Sequence, residues 1–315
     1  MKKGGKGKTP DLSISLGPIV LKNPVIAASG TFGYGEEYSR VFPIKKLGAL
    51  VTKGISLEPR PGNPPPRLAE TPAGMLNAIG LENVGFNVFV REKMPFLRKV
   101  GCPIFVNMFG HTIDEFSELA RRLSEIEGIA GLELNISCPN LRAGGSIFAA
   151  DPRSVYKVVS RVRRVTGSFL MVKLSPNVAD ITPIARAAEE AGADAVSLIN
   201  TLIGMAIDVV SRTPLLGNVT GGLSGPAIKP IGVRMVWQVA QTVRIPIVGM
   251  GGIVSATDAL EYLIAGATAI QVGTAHFVDP RSSLKIIDGI ADYLNRHRLP
   301  DLSKLIGSLR IERNS

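Results

Sequence analysis

The chain reads as an α/β protein, a (β/α)8 barrel of the TIM type, and three observations point there. Eight short apolar runs rich in β-branched residues alternate with longer segments of helical period, the pattern of a parallel sheet covered by crossover helices. Eight is the strand number that closes such a barrel. Chemically able side chains also recur at the carboxyl ends of successive runs, where this fold assembles its sites. The same alternation would suit a doubly wound open sheet, which stands as the structural alternative.

In chain order, residues 11–22, "DLSISLGPIVLK", read as a small hairpin closing the barrel bottom. The eight runs follow: "PVIAAS" from Pro24, "GALVTKG" from Gly48, "PIFVNM" from Pro103, "GLELNIS" from Gly131, "FLMVKL" from Phe169, "DAVSLIN" from Asp194, "IPIVGMGG" from Ile245 and "TAIQVGT" from Thr268. Between them, "TIDEFSELARRLSEIE" from Thr112, "DPRSVYKVVSRVRRVT" from Asp151 and "SATDALEYLIAGA" from Ser255 are amphipathic and begin with residues suited to an N-cap. Two connections, Ile55 to Asn83 and Leu202 to Ala227, are too long for plain turns. Such loops are usually lids or disordered segments, and here they are expected over the carboxyl-terminal face of the barrel.

Composition narrows the class. With 45% hydrophobic and 20% charged residues among 315, the chain can bury a large core, and about 250 residues suffice for one barrel. Residues 1–10 form a basic tail expected to be disordered, and residues 11–315 one catalytic domain. No apolar run approaches the roughly 18 residues of a membrane span, and "MKKGGKGKTP" has no apolar segment behind its lysines. Two cysteines, Cys102 and Cys138, make neither a disulfide framework nor the four-thiolate set of an iron-sulfur cluster, which favours the reducing cytoplasm. The net charge of +10 favours anionic partners, but no basic stretch interleaved with aromatics marks a nucleic-acid face.

The polar residues collect at strand ends: Ser29, Lys53, Asn107, Asn135 followed by Ser137 and Cys138, Lys173, and Asn200 with Thr201. Any one of them alone is better explained as a cap or a satisfied core residue; the set together indicates a shared site. The seventh and eighth runs end instead in glycine-rich turns, "GMGGI" and "QVGTAHF", whose backbone amides suit a phosphate. Lys53 and Lys173 emerge from apolar strands, so each needs an anionic partner, from the protein or from a ligand. Asn77, Asn135 and Asn200 offer donors and acceptors that would bracket a planar ring with amide and carboxylate edges. The histidines His111, His276 and His297 form no metal motif, and no metal is expected. His111 or His276 would be placed to activate Cys138 as a nucleophile. In the alternative reading the thiol is itself the proton acceptor. Cys102, ahead of the third run, reads as packing.

Taken together, "MLNAIGLEN", "NISCPN", "VKLSPN", "INTL", "GGLSGPAIKP" and "GMGGI" resemble the class 1 dihydroorotate dehydrogenases, in order over nearly the whole chain after residue 10. "INTLIGMAID" and "TGGLSGPAIKP" make it most similar to the catalytic subunit of the NAD-dependent class 1B enzymes. The resemblance implies flavin mononucleotide (FMN), its phosphate on Gly251, Gly252, Gly273 and Thr274. Ser29, Lys53, Gly54, Asn107, Asn135, Lys173, Ile199 and Gly225 would line the flavin. Lys53, Asn77, Ala78, Ile79, Gly80, Leu81, Asn135, Asn200 and Thr201 would hold dihydroorotate or orotate. Cys138 would be the general base and the flavin the hydride acceptor.

The same resemblance implies a homodimer joined by a second subunit, carrying FAD and an iron-sulfur cluster, into a heterotetramer that passes electrons to NAD. The chain has no GxGxxG unit after a strand to hold a dinucleotide itself. Three other readings stay open at this level: a fumarate-dependent class 1A enzyme, a tRNA-dihydrouridine synthase-like flavoenzyme, and a non-catalytic binding barrel.

Overall fold

A computed structural model describes residues 10–136 and 151–311. Cys138 and all but the last residue of the basic tail lie outside the described residues.

Eight parallel strands close into a barrel in chain order: β1 (Val25–Ala27), β2 (Ala49–Val51), β3 (Ile104–Met108), β4 (Gly131–Asn135), β5 (Phe169–Lys173), β6 (Ala195–Leu198), β7 (Ile247–Met250) and β8 (Ala269–Val272). Each falls inside one of the eight apolar runs. Closure is decided by β8 pairing back on β1, Ile270 opposite Val25 and Val272 opposite Ala27, which an open doubly wound sheet would lack. Every residue of these strands is buried, because side chains on one face fill the barrel and those on the other meet the helices.

The helices start where their sequences place a cap. In α1 (Ile113–Ser124) the Thr112 side chain accepts from the Glu115 amide. In α2 (Pro152–Arg163) Asp151 accepts from the amides of Arg153 and Ser154, and Pro152 occupies the first turn, where its missing N–H costs nothing. In α3 (Ala256–Ala265) Ser255 and Asp258 form a reciprocal capping box. Each satisfies amide donors that a helix start leaves without intrahelical partners.

Below the barrel, Ile14–Leu16 and Ile19–Leu21 pair antiparallel around a turn at Gly17, whose φ is +55°. Ile14, Leu16 and Leu21 are buried, and the Gly17 backbone lies against Phe169 at the start of β5. Above it, the two long connections join. Leu202–Met205, Thr220–Ser224, Gly74–Asn77 and Leu68–Thr71 form one antiparallel sheet in that order, with Gly222 opposite Asn77. What reads in the sequence as two separate long loops is a single four-stranded cover.

Candidate active site

Strand ends and sheet together enclose a cavity of about 390 Å³. Its floor and walls come from the carboxyl ends of the barrel strands, and its cover from Met75, Asn77, Gly222 and Ser224 of the four-stranded sheet. Of the nineteen site residues expected from the sequence that fall among the described ones, only Ala78 does not line it. Ala78 turns instead into a small apolar cluster with Leu76 and Leu216. Cys138, three residues beyond Asn135 on the wall, lies outside the described residues.

The cavity's charge is set by two lysines. Lys173 ends β5 and is buried; Lys53 lies two residues beyond β2, its amide donating to the Gly33 carbonyl at 2.8 Å. Among the described residues neither has a carboxylate within ion-pair distance. Enclosed ammonium groups without a protein counter-charge make the cavity attractive to an anionic ligand.

The two glycine turns are shaped for close backbone approach. Gly251 and Gly252 have φ of +121° and +67°, and a Cβ on Gly252 would stand 2.8 Å from the Gly225 carbonyl oxygen. From the other turn, Thr274 donates its hydroxyl to Ser224 at 2.8 Å, tying the end of β8 to the cover. Asp258 stiffens the first turn from below: one oxygen accepts from the amides of Val254 and Ser255, the other from Lys229 at 2.8 Å. Burial opposes ionisation of Asp258, but the hydrogen bonds from Lys229 and Ser255 outweigh it and hold its carboxyl below the usual range.

The amides are already oriented. Asn77 donates Nδ2 to the Gly222 carbonyl at 3.2 Å, across the seam between the two long connections. Asn200 accepts from the Thr201 amide at 2.8 Å, and Asn177 donates to the Thr201 carbonyl at 3.0 Å. Gly222 is required there, because a Cβ would stand 2.1 Å from Thr201 Oγ1.

Neither histidine that follows a strand turns to the site as a base. His276 is buried, packed against the rings of Phe32 and Tyr38, and bonded through Nε2 to Ser283 Oγ at 2.8 Å. Burial pushes it down to about 4. His111 is held by Arg60 on its ring, while its amide donates to Glu115. Cys102 is partly buried against the core, which pushes its thiol up to about 11. The strand-end reading passed over Glu133 and Gln271, polar residues inside apolar runs whose side chains meet within the barrel. Their charge and polarity in the runs "GLELNIS" and "TAIQVGT" were the available signal.

The family model for dihydroorotate dehydrogenase matches residues 12–294 of the chain. The chain belongs to the dihydroorotate dehydrogenase family. It is 57% identical over 302 residues to the dihydroorotate dehydrogenase B (NAD(+)) catalytic subunit of Geotalea daltonii, covering 96% of this chain and 99% of that one. It is 56% identical over 304 residues to the same subunit of Geobacter metallireducens, covering 96% and 100%. Its fold matches the dihydroorotate dehydrogenase of Eimeria tenella, crystallised with ferulenol, at a TM-score of 0.79 and 22% identity over 98% of this chain and 91% of that one.

Membership of the dihydroorotate dehydrogenase family implies a flavin, and the residues present fit one. Glycine turns that a Cβ would fill can approach a phosphate, and the lysines and amides of the cavity suit the carbonyl and N–H edges of a flavin ring.

Proposed function

We propose that this chain is the catalytic subunit of an NAD-linked dihydroorotate dehydrogenase, oxidising (S)-dihydroorotate to orotate for pyrimidine biosynthesis in the cytoplasm. The observation that carries the reading is the gathering, in one cavity, of two lysines without carboxylate partners among the described residues, four asparagines and two glycine turns. Its relatives named as NAD(+)-type catalytic subunits, matched over nearly their whole length, support the choice of acceptor.

The reaction makes a carbon-carbon double bond conjugated to a ring carbonyl, so a proton leaves the carbon beside that carbonyl and a hydride leaves its neighbour. FMN, when bound, supplies the hydride acceptor. Gly251, Gly252, Gly273 and Thr274 hold its phosphate; Ser29, Lys53, Gly54, Asn107, Asn135, Lys173, Ile199 and Gly225 line its ring. Lys173 offers positive charge to the reduced cofactor. Lys53 meets the substrate carboxylate or carbonyl edge, and Asn77, Asn135, Asn200 and Thr201, with the Ile79 to Leu81 backbone, orient the ring. Cys138 takes the proton. A free thiol has a pKa near 8.5, and a thiol beside a cation has a larger thiolate fraction at neutral pH.

Electrons reach NAD through a second subunit carrying FAD and an iron-sulfur cluster, since two cysteines cannot ligate a four-thiolate cluster. Two copies of the chain and two partners make a heterotetramer. The test is to purify this chain alone and assay dihydroorotate with NAD, with fumarate and with a redox dye. Dye reduction alone is expected. Efficient NAD reduction would contradict the partner requirement, and fumarate reduction as fast as the dye would reassign the chain to the fumarate-linked class.

A further inference from the structure

Glu133 of β4 is fully buried inside the barrel, a space this fold fills mainly with branched apolar side chains. Its Oε2 accepts from Asn107 Nδ2 at 2.6 Å. Its Oε1 accepts from Ser197 Oγ at 2.9 Å and Gln271 Nε2 at 2.7 Å. The three donors come from β3, β6 and β8, and among the described residues no cation pairs with the carboxylate. A carboxylate held in this way lies beneath residues that do line the cavity, Asn107 and Gln271.

A carboxylate offers only acceptors, whereas an amide has a donor end and an acceptor end. Asn107 must therefore turn Nδ2 down onto Glu133, leaving Oδ1 on its other side. There Asn135 brings Nδ2 to 3.4 Å from Asn107 Oδ1. With its nitrogen directed at Asn107, the Asn135 carbonyl oxygen points away from that neighbour, and Asn135 stands on the cavity wall. The polarity of two successive amides thus follows from one carboxylate that itself does not line the cavity.

We propose that Glu133 is a positioning residue: acting through Asn107, it fixes the Asn135 amide so that the substrate ring meets its carbonyl oxygen, an acceptor for a ring N–H. This rests on the cavity being the dihydroorotate site. Dihydroorotate and orotate both carry ring N–H groups, and an Asn135 amide turned the other way would set donor against donor.

The network also says which substitutions it tolerates. Gln271 Oε1 is buried without a hydrogen-bond partner among the described residues. In Glu133→Gln, Gln271 can turn that oxygen toward the new amide nitrogen, which leaves the new amide oxygen free to accept from Asn107. Glu133→Leu removes the acceptor and frees Asn107 to turn over.

The experiment is a double-mutant cycle on orotate affinity, read from the flavin absorption change of FMN-loaded protein, with Glu133→Leu, Asn135→Ala, their combination, and Glu133→Gln. Glu133→Leu and Asn135→Ala are each expected to weaken orotate roughly 10- to 100-fold, the scale of a lost or mismatched buried hydrogen bond. The double variant should be no weaker than Asn135→Ala alone, and Glu133→Gln should stay within about threefold of wild type. Wild-type affinity in Glu133→Leu, losses that multiply in the double variant, or a Glu133→Gln loss as large as that of leucine would each overturn the proposal. If Glu133→Leu does not fold or load flavin, Asn107→Leu takes its place in the cycle with the same expectations and the same contrary outcomes. Failure of the wild-type holoenzyme to bind orotate would overturn the functional reading and this inference with it. Orotate binding with multiplying losses would overturn the inference alone.

Discussion

Asn77 and Gly222, 145 residues apart, face each other across the seam of the cover, joined by a 3.2 Å hydrogen bond from the asparagine amide to the glycine carbonyl. This pair belongs to the seam that unites the two long connections over the cavity. Gly222 has no room to change, with Thr201 Oγ1 2.1 Å from where its Cβ would stand. Gly222→Ala should displace Thr201 and weaken orotate binding by roughly 10-fold or more while flavin content is unchanged. Spectral titration of the FMN-loaded variant checks this.

Lys53 and Asn77 enter the cavity from opposite sides, one from β2 and one from the cover. Lys53→Ala and Asn77→Ala should each lower orotate affinity. The loss of a hydrogen bond to a charged group, about 1.5 to 3 kcal/mol, corresponds to roughly 10- to 150-fold. Native affinity in both variants would place these residues outside the site.

Asp258 links the glycine turn to Lys229, so Asp258→Ala should loosen the phosphate end of the cavity and lower FMN affinity by roughly 10-fold. The pH dependence has a definite sign. Because its folded-state pKa is depressed, the carboxylate stabilises the fold above the ordinary aspartate range, and this contribution is lost as pH falls through the lowered value. Flavin fluorescence on mixing apoprotein with FMN measures the affinity term.

His276 works in the same acid direction by a different cause. Burial lowers it from 6.5 to about 4, so on acidification the unfolded chain takes up the proton first. Stability should be complete above about pH 6.5 and fall between there and about pH 4, by about 3 kcal/mol from this group. In His276→Phe that part of the slope should disappear, which urea unfolding at a series of pH values would show.

The barrel was legible because fully buried parallel strands leave near-continuous β-branched runs, as in "FLMVKL", and because Thr112, Asp151 and Ser255 announce their helices. The cover was not. Leu68–Thr71 has no fully buried residue, "TGGLS" has glycine where strands carry branched side chains, and the seam that joins the two connections pairs "TGGLS" with Gly74–Asn77, far away in sequence. Glu133 was hidden by the same habit of reading that found β4, since a carboxylate within "GLELNIS" passes as an interruption of an apolar run. Only its three converging donors, Asn107 on the neighbouring strand and Ser197 and Gln271 from across the barrel, make its place visible. Ala78 belongs to a run of cavity residues by sequence, yet, two residues on from Leu76 and so on the face opposite Asn77, it packs with Leu76 and Leu216.

Cys138→Ala should slow flavin reduction by dihydroorotate at least roughly 10²-fold, the lower scale for loss of a general base, with FMN still bound. Cys138→Ser should keep part of the rate and shift its profile to higher pH. Unchanged reduction kinetics in the alanine variant would remove the thiol from the reaction.

Whether this is a flavin barrel that oxidises dihydroorotate is decided by the absorption spectrum of the purified, FMN-reconstituted chain, recorded anaerobically before and after addition of dihydroorotate. One tightly held, noncovalent FMN per chain is expected, its visible absorption bleaching on addition. Folded protein that retains no FMN from an excess, or that holds it and stays yellow with dihydroorotate, would overturn the assignment.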